Sequence, residues 1–325
     1  MAQIVLIGLG AGAAAALLFA SVASGTSIAV ILFYFMPLPI LIAALGFSHW
    51  AGLIGAFTAA FGLATYAGFL LPVAFLLAVG LPSWWLGYLA LLARPAESGT
   101  FEWYPVGRLV LWAVAIGTLL AASVIQFFGV DDETFRAAMK GSLEQALRMQ
   151  TRTPADSPLQ IPGVSNPDRF LDIIVRTLLP AIAVSLTLIY TVNVWLAARI
   201  VKISQRLPRP WPDIPSMRFP LLATGVLAAG IVGSFLPGLL GMVSIIMVAS
   251  LLTAFAFLGL AVVHILTRGL NARTFILASL YVAIVLFSFP ISWPLLAMSV
   301  LGVIDAAFGL RNRLASTGGP PAPRT

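Results

Sequence analysis

The chain has 325 residues, 60% of them hydrophobic and 9% charged, with a net charge of +7. It has no cysteine and only two histidines, His49 and His264, which excludes disulfides, cysteine catalysis and thiolate or histidine-rich metal centres. No Lys, Arg, Asp or Glu precedes Arg94. A soluble domain cannot keep that much chain free of ionic groups, so the solvent of this tract is lipid.

The fold class is therefore all-α, a polytopic transmembrane helical bundle of about 8–10 membrane segments, because the apolar runs are continuous rather than alternating as in a barrel. Apolar tracts fall at 3–23, 28–47, 50–70, 73–93, 107–128, 169–198, 219–236, 239–266, 274–289 and 295–310. Residues 1–314 read as a single transmembrane domain and 315–325 as a disordered tail. The last two tracts are short and meet at Phe289-Pro290-Ile291-Ser292-Trp293-Pro294, so 274–310 is either two thin spans or a re-entrant hairpin.

The first tract opens with Ile4 to Ala13, which imitates a strand entering a dinucleotide-binding glycine turn. That turn needs an acidic residue about 20 positions on, and none occurs before Glu97. The glycines belong to a membrane helix, and the absence of a basic n-region argues against a signal peptide. Gly8, Gly12, Ala16 and Ala20 recur every four residues along one face, and Ala51, Gly55 and Ala59 repeat the pattern in the third tract. Such faces let helices approach closely. They pack within the bundle by default, and in the sharper reading they dock a partner membrane helix.

Pro37 and Pro39 interrupt the second tract. Pro82-Ser83-Trp84-Trp85 lies about 15 Å inside the boundary marked by Arg94, near mid-membrane. Proline there frees a backbone carbonyl, giving a kink or, as in many transporters, a broken helix at a binding site. Pro82, Ser83, Trp84 and Trp85 are thus candidate ligand-binding residues.

Between the fifth and sixth tracts, the segment 129–168 holds an amphipathic helix at 131–149 with Phe135, Met139, Leu143 and Ala146/Leu147 on one stripe. Asp132–Arg136, Lys140–Glu144 and Glu144–Arg148 are spaced for pairing within it, and the helix is expected to lie on the outer membrane interface. A proline-rich stretch to Pro167 follows. The sixth tract carries Asp172 and Arg176, spaced to pair with each other, and Asn193, a candidate interhelical hydrogen bond or ligand contact. The basic, proline-rich loop 199–218 is suited to anionic headgroups or a partner protein. Asp305 lies about 9 Å inside the last boundary and needs a partner. Arg268, Arg273 or Arg311 can anchor it, and a proton or substrate site is the alternative.

Charge orients the bundle. The loops 94–108, 199–218, 267–273 and the C-terminal tail hold twelve of the eighteen basic residues and sum to +8, against −1 on the other side. The positive-inside rule then places both termini in the cytoplasm, with the protein in the bacterial inner membrane.

The run Leu301-Gly302-Val303-Ile304-Asp305-Ala306-Ala307-Phe308-Gly309-Leu310-Arg311 resembles the closing signature of the YybS-like family of bacterial integral membrane proteins. The stretches Trp211-Pro212 and Arg218-Phe219-Pro220 are similar to that family's entry into a span, while Gly309-Leu310 departs from its acidic-aromatic pair. The family is distantly grouped with the substrate-binding subunits of energy-coupling-factor transporters. Those subunits dock a coupling protein through small residues of the first span, and Gly8, Gly12, Ala16 and Ala20 are similar in kind.

These readings give an expected function: a transport-related subunit that binds a small molecule, with Pro82, Ser83, Trp84, Trp85, Asn193 and Asp305 as ligand candidates. Its expected partners are the lipid bilayer and other membrane subunits, with no nucleic acid and no cofactor. The alternative is a non-catalytic scaffold or assembly factor of the cell envelope. No enzyme is expected, since H-E-x-x-H, G-x-S-x-G, an intramembrane aspartate pair and a phosphate-binding loop are all lacking in the sequence.

Overall fold

The computed structural model describes residues 1–97, 99–154, 157–159, 161, 163–287 and 293–317, with side chains at all of these but 66, 67 and 314–317. The molecule is an all-α polytopic bundle, and a helix occupies every one of the ten apolar tracts. Among the described residues, six stretches are long and apolar enough to cross a membrane: Ala2–Ser24, Ser27–Gly46, Leu70–Ala90, Val106–Phe128, Pro167–Ile203 and Gly238–Leu266.

Helix α1 (Ala2–Ala20) is apolar all round, as a lipid-bathed helix is. It lies along α4 (His49–Ala67), whose amino end is capped by the Ser48 hydroxyl accepting the Trp50 amide at 3.3 Å. Between them run two half-helices, α2 (Ser27–Tyr34) and α3 (Leu38–Gly46), parted by a turn at Pro37. This is the interruption that the prolines of the second tract predict, since Pro37 lacks the amide a continuous helix would use.

The next crossing does not break. α5 (Leu70–Phe75) and α6 (Leu81–Ala90) are joined by one wide π turn, Leu76–Gly80, so the helix runs on through Pro82. An antiparallel hairpin that the sequence reading did not foresee follows, β1 (Ala93–Pro95) against β2 (Phe101–Trp103), with Arg94 paired to Glu102 at 2.7 Å.

Helices α7 (Val106–Ser123) and α10 (Pro167–Ile203) form the centre, contributing side chains to the core groups on both sides. The short α8 (Ile125–Phe128) leads into α9 (Asp132–Thr151), capped by Asp131 accepting the Thr134 amide at 2.8 Å. That bond holds the Asp131 carboxyl below its ordinary pKa. α9 is more than an interfacial float: Phe135 and Met139 are buried against Val175, Leu179 and Ile246.

Charge pairing around α9 differs from the spacing rule. Asp132–Arg136 and Glu144–Arg148 pair as spaced, but Lys140 leaves Glu144 for Asp172 at 3.0 Å and Asp168 at 3.3 Å. Asp172 therefore pairs with α9 rather than with Arg176. At 37 residues α10 outruns the hydrocarbon, so its first turns stand in water where a lysine from a neighbouring helix reaches them. Both aspartates hold the Lys140 ammonium above its ordinary pKa of 10.5. The stabilisation is therefore full below that value and fades as pH rises through the raised one. Lys140→Gln is expected to loosen α9 by up to about 1 kcal/mol. A spin label at exposed Gln150 should become more mobile in the variant, and likewise in the wild type at strongly alkaline pH.

The last third contains α11 (Leu221–Gly233), α12 (Gly238–Leu266), α13 (Arg273–Leu286), α14 (Trp293–Phe308) and α15 (Leu310–Thr317). α14 packs closely on α12. α13 and α14, at 14 and 16 residues, are both shorter than the roughly 20 residues of a full crossing. Residues 288–292, where the two short tracts meet, lie outside the described residues, as does the tail from 318. The tail's expected start at 315 is early, because α15 carries the chain to Thr317.

Candidate functional site

The sequence-predicted site residues do not converge on one place. Pro82 removes an amide that would have bonded one turn back, and the hydroxyl of Tyr190 on α10 donates to the Ala78 carbonyl there. Ser83 is fully buried and donates to the Val79 carbonyl of its own helix at 2.6 Å. The polar groups freed by the proline are thus answered within the protein.

Trp84 and Trp85 belong to an aromatic cluster inside the Leu70–Ala90 stretch, and the Nε1 of each is buried without a hydrogen-bond partner among the described residues. Trp85 meets Tyr88 at 5.8 Å and Trp112 at 5.4 Å, and Trp112 donates to the Tyr104 hydroxyl at 3.0 Å. His49, the first residue of α4, meets Tyr88 at 5.4 Å.

Asn193 makes the interhelical hydrogen bond that its position predicts. Its amide donates to the Tyr34 carbonyl at 2.9 Å, at the broken end of α2, and to Ile189 at 2.8 Å. Asn193→Leu leaves the part-buried Tyr34 carbonyl unanswered, at a cost of about 1–2 kcal/mol. The expected result is a lower thermal midpoint in detergent with an unchanged helical circular dichroism signal at low temperature.

Asp305 is held by an anchoring ion pair. Gly309 adopts a left-handed φ of 62°, the chain reverses into α15, and Arg311 returns onto the carboxylate. Asp305 accepts the Arg311 amide at 3.0 Å, its Nε at 2.9 Å and its Nη2 at 2.7 Å. The same guanidinium donates to the carbonyls of Pro215 and Met217, both at 2.7 Å, which fixes the loop between α10 and α11. Gly8 and Gly12 are buried against α4: a side-chain carbon at Gly8 would lie 2.6 Å from Ile54 and 2.9 Å from the Ala51 carbonyl. Ala16 is half-buried and Ala20 exposed. α4 therefore fills the first half of the face expected to dock a partner.

The feature with the geometry of a binding site is one the sequence did not reveal. A cavity of about 750 Å³ lies between α7, α10 and α12. Leu109, Val110 and Ala113 form one wall, Val194 and Ala198 a second, and Phe257, Leu260 and Ala261 a third. Its end is closed by the loop from Leu207 to Met217. That loop is no free basic arm. Arg209 turns inward and donates to the Ala90 carbonyl at 2.8 Å beneath the Trp103 ring, and Trp211 lies against Arg199 and Lys202.

The polar groups in the cavity are few. Thr191 Oγ1 and Arg209 Nε are buried without a hydrogen-bond partner, and His264 Nε2 bonds the Tyr281 hydroxyl at 2.9 Å. Burial lowers the Arg209 pKa from its ordinary value. A concave, mostly apolar space of roughly 300–1,000 Å³ with a few polar groups is the usual form of a small-molecule site. Arg209 between Pro208 and Pro210 was the one signal in the sequence, since a stiffened arginine is held in place rather than left to sample solvent.

No curated protein and no solved structure matches the chain. A model of the predicted membrane protein family DUF2232 matches residues 13–306, most of the chain's length, and the protein belongs to that family.

Proposed function

We propose that this protein is a transport-related subunit of the bacterial inner membrane that holds a small, largely apolar molecule in the cavity between α7, α10 and α12. The observation that carries the reading is the cavity itself, about 750 Å³ lined by apolar side chains with polar groups gathered around Arg209 and His264. The excess of basic residues on the side of loop 199–218 supports a cytoplasmic position for that end of the cavity and for both termini. The resemblance of the C-terminal run to the YybS-like family, itself only distantly grouped with substrate-binding subunits of energy-coupling-factor transporters, is the family-level support for the reading. The small-residue face of α1 adds nothing to it, because α4 occupies Gly8 and Gly12.

Native mass spectrometry of protein extracted gently from its host membrane tests this. The expected spectrum shows a discrete small-molecule adduct that is lost in Ala198→Phe, where a ring fills the cavity from its half-buried wall. Wild-type protein free of any adduct, with envelope-assembly proteins co-purifying, would favour the scaffold reading instead.

A further inference from the structure

The end of the cavity at loop 207–217 is predominantly basic. Arg209 donates to the carbonyls of Ala90 and Tyr104, keeps a buried Nε without a partner, and pairs with no carboxylate among the described residues. Lys202 and Arg199 lie on the Trp211 ring. The acid on the same loop, Asp213, is already engaged with Arg268 at 2.7 Å. A partly desolvated guanidinium with a spare donor and no counter-ion is matched by an anionic acceptor.

The rest of the cavity is apolar and has a mouth. Val192 and Trp195 of α10 and Tyr281 of α13 line it and are 44%, 48% and 45% exposed, in helices whose outer surfaces meet lipid. α13 has no buried residue among those described, and the Tyr281–His264 bond ties it to α12. The opening therefore faces sideways, between α10 and α13. Trp195 lies about 12 Å from the end of α10, within the leaflet on the basic side.

Building on the reading of the cavity as a ligand site, we infer that its ligand is an anionic amphiphile, an acyl-type chain with a negatively charged head. It enters from the leaflet on the basic side through the gap between α10 and α13. The chain lies along the apolar walls and the head rests at Arg209. An entirely water-soluble metabolite has no use for a mouth lined by Val192 and Trp195, and a neutral lipid leaves the Arg209 charge without a counter-ion.

Trp195 and Trp211 both line the cavity and report its occupancy by fluorescence. Full-length protein in phosphatidylcholine nanodiscs is titrated with dibromostearate, with its neutral methyl ester, and with acetate as the head alone. Saturable quenching is expected, with the acid binding at least tenfold more tightly than the ester and acetate without effect on the acid's binding. Arg209→Gln should bring acid and ester to within about twofold, while Arg209→Lys keeps a preference for the acid. Equal binding of acid and ester by the wild type, or a preference that survives in Arg209→Gln, would overturn the anionic-head assignment. In that case saturable quenching abolished by Ala198→Phe would still uphold the cavity as a site. Quenching by neither compound would remove both readings together.

Discussion

Replacing Asp305 with alanine is expected to lower the stability of the folded protein by about 3–5 kcal/mol. The side chains of Asp305 and Arg311 are 5% and 6% exposed, so removing the carboxylate leaves a guanidinium buried with only two backbone carbonyls as partners. The loss should be read from unfolding in mixed micelles of increasing denaturing-detergent fraction. Arg311→Met alone should cost a similar amount, because it strands the carboxylate and frees the 215–217 carbonyls together. In the double variant Asp305→Leu/Arg311→Met, most of the loss should be recovered, since two apolar side chains replace a pair whose desolvation nearly cancels its attraction. A single variant close to wild type would mean that water reaches the pair and that the loop between α10 and α11 is not fixed by it.

A comparable loss is expected from Gly302→Leu, at the crossing of α12 and α14. A side-chain carbon at Gly302 would overlap the Phe255 carbonyl, and one at Gly259 would overlap that of Met298. The two backbones touch because both positions lack a side chain, and Ser299 adds a hydrogen bond across the contact to the Leu252 carbonyl at 2.7 Å. Even Gly302→Ala must push the helices apart, at about 1–3 kcal/mol, and leucine should reach or exceed the upper end of that range. Gly225→Ala is the matched control, since nothing lies within 4 Å of the added carbon. The expected ordering of thermal midpoints is Gly225→Ala near wild type, Gly302→Ala below it and Gly302→Leu lowest. Equal midpoints for the three would show that α14 does not rest on α12 in the membrane.

The helices were legible in the sequence because the bilayer imposes their length and polarity directly. Every apolar tract became a helix, and Pro37 broke the second where the missing amide requires it. Asn193 and Asp305 were legible as polar groups that lipid cannot leave unanswered, and each found the type of partner that this argument demands. Depth and neighbourhood were less legible. Pro82 left a kink and a break both open, because residue counting cannot show Tyr190 supplying a donor from 112 residues away in sequence. Lys140 chose Asp172 over Glu144 because α10 projects beyond the membrane beside α9, a fact of packing that no i,i+4 rule contains. The small-residue face of α1 was correctly seen as a close-approach surface, but its occupant, α4, comes from the same chain.

The cavity was invisible for a related reason. Its walls are ordinary Leu, Val and Ala positions, identical in the sequence to those packed solidly elsewhere. What distinguishes them is that α7, α10 and α12 do not close upon one another where the loop 207–217 covers their ends. Only Arg209, set between two prolines and turned inward, carries a local trace of the site.

The most direct test of the cavity as a binding site is a cryo-electron microscopy map of the protein in particles cut from its own host membrane, so that resident molecules are retained. The account predicts elongated density between α7, α10 and α12, with one end at Arg209 and the other directed to the gap beside Trp195 and Tyr281. Walls collapsed onto one another, with Ala113, Ala198 and Ala261 in direct contact, would contradict it.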